Sequence, residues 1–159
     1  MTSAPPEPTT IAVGGDHAGL PLKRALQEAL AGQGHELLDF GTNEAASVDY
    51  PDFAHRVCAA VQDGSARFGL LVCGSGIGMA IAANRHAGIR AAVLHDATEA
   101  RLTRAHNDAN VAAFGARLVG PEVALDALKA FLSTGYEGGR HDRRLQKLAP
   151  PGASTGPDA

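Results

Sequence analysis

The chain has no tryptophan, two tyrosines, five phenylalanines and two cysteines in 159 residues. Two cysteines without regular spacing, Cys58 and Cys73, make neither a disulfide framework nor a zinc site. Both thiols are therefore expected to be reduced and the chain cytoplasmic. Aromatics are few and no stripe of lysine and arginine appears, so nothing resembles a nucleic-acid footprint. The 14 basic and 17 acidic residues leave a formal net charge of −3, close to balance. No apolar run is long enough to cross a membrane, and Met1 to Thr10 carry three prolines and no apolar core of a signal peptide. No group of His, Cys or carboxylate residues has metal-ligand spacing, so no metal is assigned. A phosphate loop of the form G-x-x-x-x-G-K-[ST] is also missing.

What the chain does contain is alternation. Short apolar runs at Thr10–Gly14, His35–Phe40, Phe68–Cys73, Gly88–Leu94 and Asn110–Phe114 read as strands. Between them lie helical patterns at Leu20–Leu30, Pro51–Val61, Gly78–His86 and Thr98–Ala105, with another at Pro121–Leu132. Leu22, Leu26 and Leu30 repeat every four residues on the first helix, and Pro51 suits the first turn of the second. Strand and helix alternating with short links predict an α/β fold, a doubly wound parallel sheet of five strands with helices on both faces. One domain over residues 11–148 is expected. Residues 1–10 and 149–159, the latter rich in Pro, Gly, Ser and Ala, are expected to be disordered tails.

The stretch Leu70 to Asn84 parses as strand, tight turn, helix. Cys73 would end a buried strand at the edge where open parallel sheets bind ligands, and Gly74, Gly76 and Gly78 would let backbone N–H groups approach an anion. The positive end of a helix dipole favours the anionic form of a thiol placed there. A buried structural cysteine beside a glycine turn is the plainer alternative. The first strand ends in Gly14-Gly15-Asp16-His17-Ala18-Gly19. On the dinucleotide template Asp16 replaces the second glycine, where a carboxylate would repel pyrophosphate, and this argues against a nicotinamide cofactor. Asp16 and His17 at one strand end and Cys73 at another make an acid/base group instead. Asp16 could equally serve as a helix cap.

Tyr50 sits in a polar loop that could close over a site, or could only pack on Pro51. His106-Asn107 follows a helix, with a helix-capping role as the alternative for the histidine. After Gly138-Gly139 a short helix to about Leu148 would carry Arg140 and Arg144 on one face, four residues apart. Two forked guanidiniums suit a phosphate, although Asp142 among them also allows a merely solvated helix. Arg117 follows the fifth strand. Together these residues suit proton transfer on a small phosphorylated molecule without a cofactor.

Several stretches in order carry a more specific resemblance: Gly-Gly-Asp-His-Ala-Gly at 14–19, Asp49-Tyr50-Pro51, Val72 to Gly78, Ile81 to Asn84, Gly88 to Ala91, His106 to Val111 and Tyr136 to His141. Over about Ile11 to Leu148 the chain resembles the ribose-5-phosphate isomerase B family of sugar-phosphate isomerases. The resemblance implies a flavodoxin-like, three-layer αβα sandwich and a homodimer or homotetramer, with no metal or cofactor and some site residues supplied by the neighbouring subunit. It implies Cys73 as the base moving a proton between C1 and C2, the turn of Gly74, Gly76, Ile77 and Gly78 as the enediolate cradle, and Ser75 as the proton carrier between oxygens. His106 and Asp16 would open the furanose ring. Arg140 and Arg144, with His17 and Arg117, would hold the phosphate, and Tyr50 and Asn107 would contact the sugar. One branch of the family lacks the cysteine and uses a glutamate one step past the last glycine. Here that place is Met79 and Cys73 is present. Related members act on allose 6-phosphate or galactose 6-phosphate, and a sugar-phosphate-binding domain without turnover is the non-enzymatic alternative.

Overall fold

The computed structural model of the protein describes residues 7–149. The outer parts of both expected tails, 1–6 and 150–159, lie outside the described residues. The elements are β1 (Thr10–Gly15), α1 (Leu20–Gly32), β2 (Glu36–Asp39), α2 (Tyr50–Gln62), β3 (Phe68–Cys73), α3 (Ile77–Ala83), β4 (Ala91–Val93), α4 (Ala97–Asn107), β5 (Val111–Gly115) and α5 (Pro121–Ser133), then a 3-10 turn (Gly139–His141) and α6 (Asp142–Gln146). All strand pairs are parallel and the sheet order is β2-β1-β3-β5-β4. No helix among the described residues is long and apolar enough to cross a membrane.

Side chains on the central strands alternate between two packed layers, as the period of two requires. Ile11, Val13, Leu70, Val72, Ala112 and Phe114 pack with the leucines of α1 and with α5. Ala12, Leu71, Cys73, Val111 and Ala113 face the other way, onto Phe53, Ala54 and Val57 of α2 and Met79 of α3. This is the expected αβα sandwich, and it points the Cys73 side chain toward the α2/α3 layer.

Several boundaries differ from the expected ones for local reasons. β2 starts at Glu36 because His35 turns inward, where its Nδ1 accepts the Thr9 N–H at 3.2 Å. Thr9 also accepts from the Glu36 N–H, so the chain is already paired just before β1. α3 stops at Ala83 instead of His86, since the Asn84 side chain leaves the helix direction to bond both the N–H and the carbonyl of Ala91. β4, predicted over 88–94, shortens to Ala91–Val93 at the sheet edge, where it has one neighbour. α4 runs on through His106 and Asn107, ended by Asp108 in the left-handed region at φ 45°. The expected helix carrying both Arg140 and Arg144 divides into a 3-10 turn holding Arg140 and a short α6 holding Arg144.

The reversal of strand order lies between β1 and β3, the point where an open α/β sheet leaves a crevice beyond its carboxyl ends. Gly15 pairs with Val72 there, so Asp16 and Cys73 leave adjacent strands side by side. The start of α1 is pressed onto β3. A methyl on Gly19 would lie 2.2 Å from the Val72 carbonyl oxygen, and one on Gly15 would lie 2.7 Å from the same atom. Beneath this corner Lys23 is fully buried and donates to Asp39 at 2.9 Å and Asn43 at 3.2 Å. Burial raises the Asp39 pKa, but bonds from Lys23 and the Gly41 N–H outweigh it and hold the carboxyl below its usual value.

Two outcomes follow from these contacts. Gly19→Ala should cost about 1–3 kcal/mol, the range for overpacking a filled site, read as a lowered urea midpoint. His86 meets His55 at 2.8 Å between α2 and the end of α3, and burial, then the His55 charge, lower its pKa from 6.5. The unfolded chain protonates first, so this stability is present above about pH 6.5 and is lost as pH falls through the lowered folded value. His86→Gln should shrink the fall in urea midpoint between about pH 7.5 and about pH 5.5.

Candidate active site

Asp16, His17, Tyr50, Cys73, Gly74, Ser75, Ile77, Gly78 and Arg117 line one cleft of about 510 Å³ at the carboxyl ends of β1 and β3. The sequence expected these residues to meet, and the reversal point brings them together. Cys73 is buried, with the Gly76 N–H donating to its sulfur at 3.1 Å. That donor stabilises negative charge on the sulfur. Gly76 holds φ 77° and a methyl there would lie 2.9 Å from the Phe114 carbonyl carbon, so only glycine fits this turn. The Ser75 hydroxyl accepts the Ile77 N–H at 3.3 Å.

Asp16 does not cap α1. Gly19 occupies that position, and the buried Asp16 carboxylate accepts the Gly19 N–H at 3.0 Å, which fixes it in the strand-to-helix turn. His17 is half-buried, and its Nδ1 accepts the Val48 N–H at 3.2 Å, which leaves the proton of the neutral ring on Nε2 as a donor. The ring of Tyr50, the first residue of α2, covers Gly78 so closely that a methyl there would come within 2.6 Å of it. The Arg117 guanidinium lies over Gly74, 3.5 Å from where a methyl would stand.

The remaining predicted residues form a separate group. In a parallel sheet α4 starts near the carboxyl edge and returns to the amino edge before β5. His106 and Asn107, in its last turn, therefore precede the five-residue β5, which at about 3.3 Å per residue puts them roughly 16 Å along the sheet from the Cys73 edge. Asn107 lines a different recess of about 370 Å³ with Arg90 and Leu148. Within one chain, then, His106, Asn107, Arg140 and Arg144 do not line the Cys73 cleft.

This second group includes two residues to which the sequence reading gave no role. The His141 ring stacks on His106 with centroids 4.4 Å apart and planes 15° apart. Glu137 Oε2 lies 3.9 Å from His106 Nε2 and 3.7 Å from His141 Nε2. The Arg140 Nε–H donates to His141 Nε2 at 3.2 Å. Burial first, then His106 and Arg140, push the His141 pKa down, which keeps the ring a neutral acceptor. The four-residue spacing of Glu137 and His141 is the one signal that could have paired them. Their contact with His106 is long-range.

His106, Glu137 and His141 place three donor atoms within 4.8 Å of one another, a grouping the sequence spacing did not suggest. A cation there would have to displace the Arg140 guanidinium from His141, and parallel rings do not aim two lone pairs at one point. These three side chains therefore do not make a good metal site as they stand.

Comparison with known proteins places the chain and its fold. A family model described as Ribose/Galactose Isomerase matches residues 11–148. Ribose-5-phosphate isomerase B of Escherichia coli K12 is 46% identical over 138 residues, covering 87% of this chain and 93% of that protein. D-erythrulose-4-phosphate isomerase of Pectobacterium atrosepticum is 39% identical over 140 residues, covering 87% and 92%. The crystal structure of a ribose 5-phosphate isomerase from Thermotoga maritima superposes with a TM-score of 0.87 at 46% identity, covering 88% of this chain and 97% of that one. With a family match over nearly all the described residues and relatives aligned along most of both lengths, the chain belongs to the ribose/galactose isomerase family.

Proposed function

We propose that this protein is an aldose–ketose isomerase interconverting ribose 5-phosphate and ribulose 5-phosphate through an enediolate. The observation that carries the reading is the Cys73 sulfur at the β1/β3 crevice, with the Gly76 N–H at 3.1 Å and Ser75 and Asp16 in the same cleft. In the aldose-to-ketose direction the thiolate takes the proton from C2 and delivers it to C1. Ser75 carries the compensating proton from O2 to O1, so no net proton is gained or lost. Within the turn of Gly74, Gly76, Ile77 and Gly78, the Gly76 N–H holds the sulfur and the Ile77 N–H holds the Ser75 hydroxyl. The N–H groups of Gly74 and Gly78 are left to face the charge that develops on the oxygens, and one such donor contributes roughly 3 kcal/mol. A base that must remain a free thiol suits the reducing cytoplasm, and Cys58 and Cys73 are both free.

His106 with Asp16 opens the furanose ring, Arg140 and Arg144 with His17 and Arg117 hold the phosphate, and Tyr50 and Asn107 contact the sugar. Since His106 and the Arg140/Arg144 pair stand at the opposite sheet edge from Cys73, one complete site needs a second copy of the chain. Ile77, Ile81 and Leu118 beside the cleft are 53%, 56% and 57% exposed, which leaves an apolar face for that copy to cover. A homodimer, alone or doubled into a tetramer, completes the site.

The first test is the initial rate on ribose 5-phosphate and on allose 6-phosphate, with chelator present, for wild type and Cys73→Ala. The pentose phosphate should react faster, and Cys73→Ala should lower kcat by about 10²–10⁴-fold with KM changed little. A faster hexose phosphate would move the substrate to six carbons, and an active Cys73→Ala would remove the thiolate base. Binding of both sugars with turnover of neither would leave only a binding domain. A second test mixes the impaired Cys73→Ala and His106→Ala proteins after joint refolding. Activity should return, because hybrid dimers regain one intact site, whereas sites contained within one chain would stay impaired.

A further inference from the structure

The last turn of α4 breaks a local rule. A helix carboxyl end bears negative partial charge, and its left-handed terminal position favours glycine or asparagine. Asp108 occupies that position at φ 45° and ψ 43°, the one non-glycine residue with positive φ among the described residues. Aspartate tolerates this backbone conformation, but its charge opposes the helix dipole. Asparagine would suit the turn better, so something else must use the charge.

Two arginines use it. Arg104 Nη1 donates to Asp108 Oδ1 at 2.8 Å and Arg90 Nη2 to Oδ2 at 2.9 Å. Arg90 Nε also donates to the carbonyls of Asn107 at 3.0 Å and Asp108 at 2.9 Å. Arg104 is buried, with its guanidinium 5.1 Å from the Phe68 ring centroid and 5.6 Å from that of Phe131. It donates further to the carbonyls of Ala109 at 2.6 Å and Thr134 at 3.3 Å. Thr134 ends α5 and opens the segment to Glu137, whose N–H donates to the Ala105 carbonyl at 3.0 Å. One clamp therefore ties down both the helix end that carries His106 and the segment that carries Glu137, Arg140 and His141. The stacked imidazoles form between these two tethered pieces.

We infer that Asp108, gripped by Arg90 and Arg104, is a positioning residue for the isomerase: it fixes His106 against His141 at the angle the ring-opening step needs. The inference rests on the role given to His106 above. Charge-assisted bonds to both carboxylate oxygens set the direction of the turn as a neutral cap could not. Asp108 acts through His106 and does not touch the sugar.

The test is a double-mutant cycle on ribose 5-phosphate with His106→Ala, Asp108→Asn and the pair, because asparagine keeps the left-handed turn while it removes the charge and one of the two acceptor oxygens that the arginines grip. Asp108→Asn alone should lower kcat by about 10- to 100-fold, the cost of misplacing a catalytic group by around an ångström, with KM changed little. In the His106→Ala background the same substitution should cost less than about twofold, since its target is gone. A similar cost in both backgrounds, or no cost in the wild type, overturns the inference. If His106→Ala by itself leaves activity intact, the ring-opening role fails and the inference falls with it, a result distinct from the first two. Should Asp108→Asn melt well below wild type, Arg90→Lys takes its place in the same cycle. It keeps the charge, loses the fork, and is judged by the same two outcomes.

Discussion

The close approach of α1 to the end of β3 is the constraint on which the rest depends. Gly15 and Gly19 bring their backbones against the Val72 carbonyl where any side chain would collide. That contact lets β1 and β3 lie in register up to their last residues, and so places Asp16 beside Cys73. The buried Lys23 supports the same corner by holding Asp39 and Asn43. In turn, the loop after β2 bonds across to β1 through Gly15 and Gly41 and through Thr42 and Gly15. A buried ammonium is costly unless paired, and here its partners are Asp39 at the end of β2 and Asn43 on the loop that follows.

Strand polarity then divides the chemistry. Parallel strands send every carboxyl end to one edge, which collects the thiol, the glycine turn, Asp16 and His17. The same polarity returns α4 to the opposite edge with His106 and Asn107. In the proposed function the first half meets the negative charge that develops on a sugar oxygen with backbone N–H groups at the start of a short helix. The other half is cationic and planar, with Arg140 bonded to a neutral His141 stacked on His106. In the function proposed above, a dimer joins the two halves across the sheet.

Much of this was legible in the residues. The alternation of apolar runs and helical periods gave five strands in the right places, because those periods are local. Cys73 before three spaced glycines marked a strand-to-helix turn, and the tight contacts of Gly76 and Gly78 account for that spacing. Boundaries were less legible where a side chain intervened: Asn84 ends α3 early by bonding Ala91, and Asp108 lets α4 run past its expected end. The spacing rules for metal sites missed the His106, Glu137 and His141 cluster because α5 lies between His106 and the other two in sequence.

By itself the sequence determined the α/β class and the family, and it named the candidate acid/base groups, since each motif that carries them is a run of residues a few positions apart. Only the tertiary structure decided the order β2-β1-β3-β5-β4, the separation of Cys73 from His106, and the clamp on Asp108. Those depend on which way each crossover turns and on which distant segments are brought together by burying a common core. Such long-range choices leave no period along the chain to read.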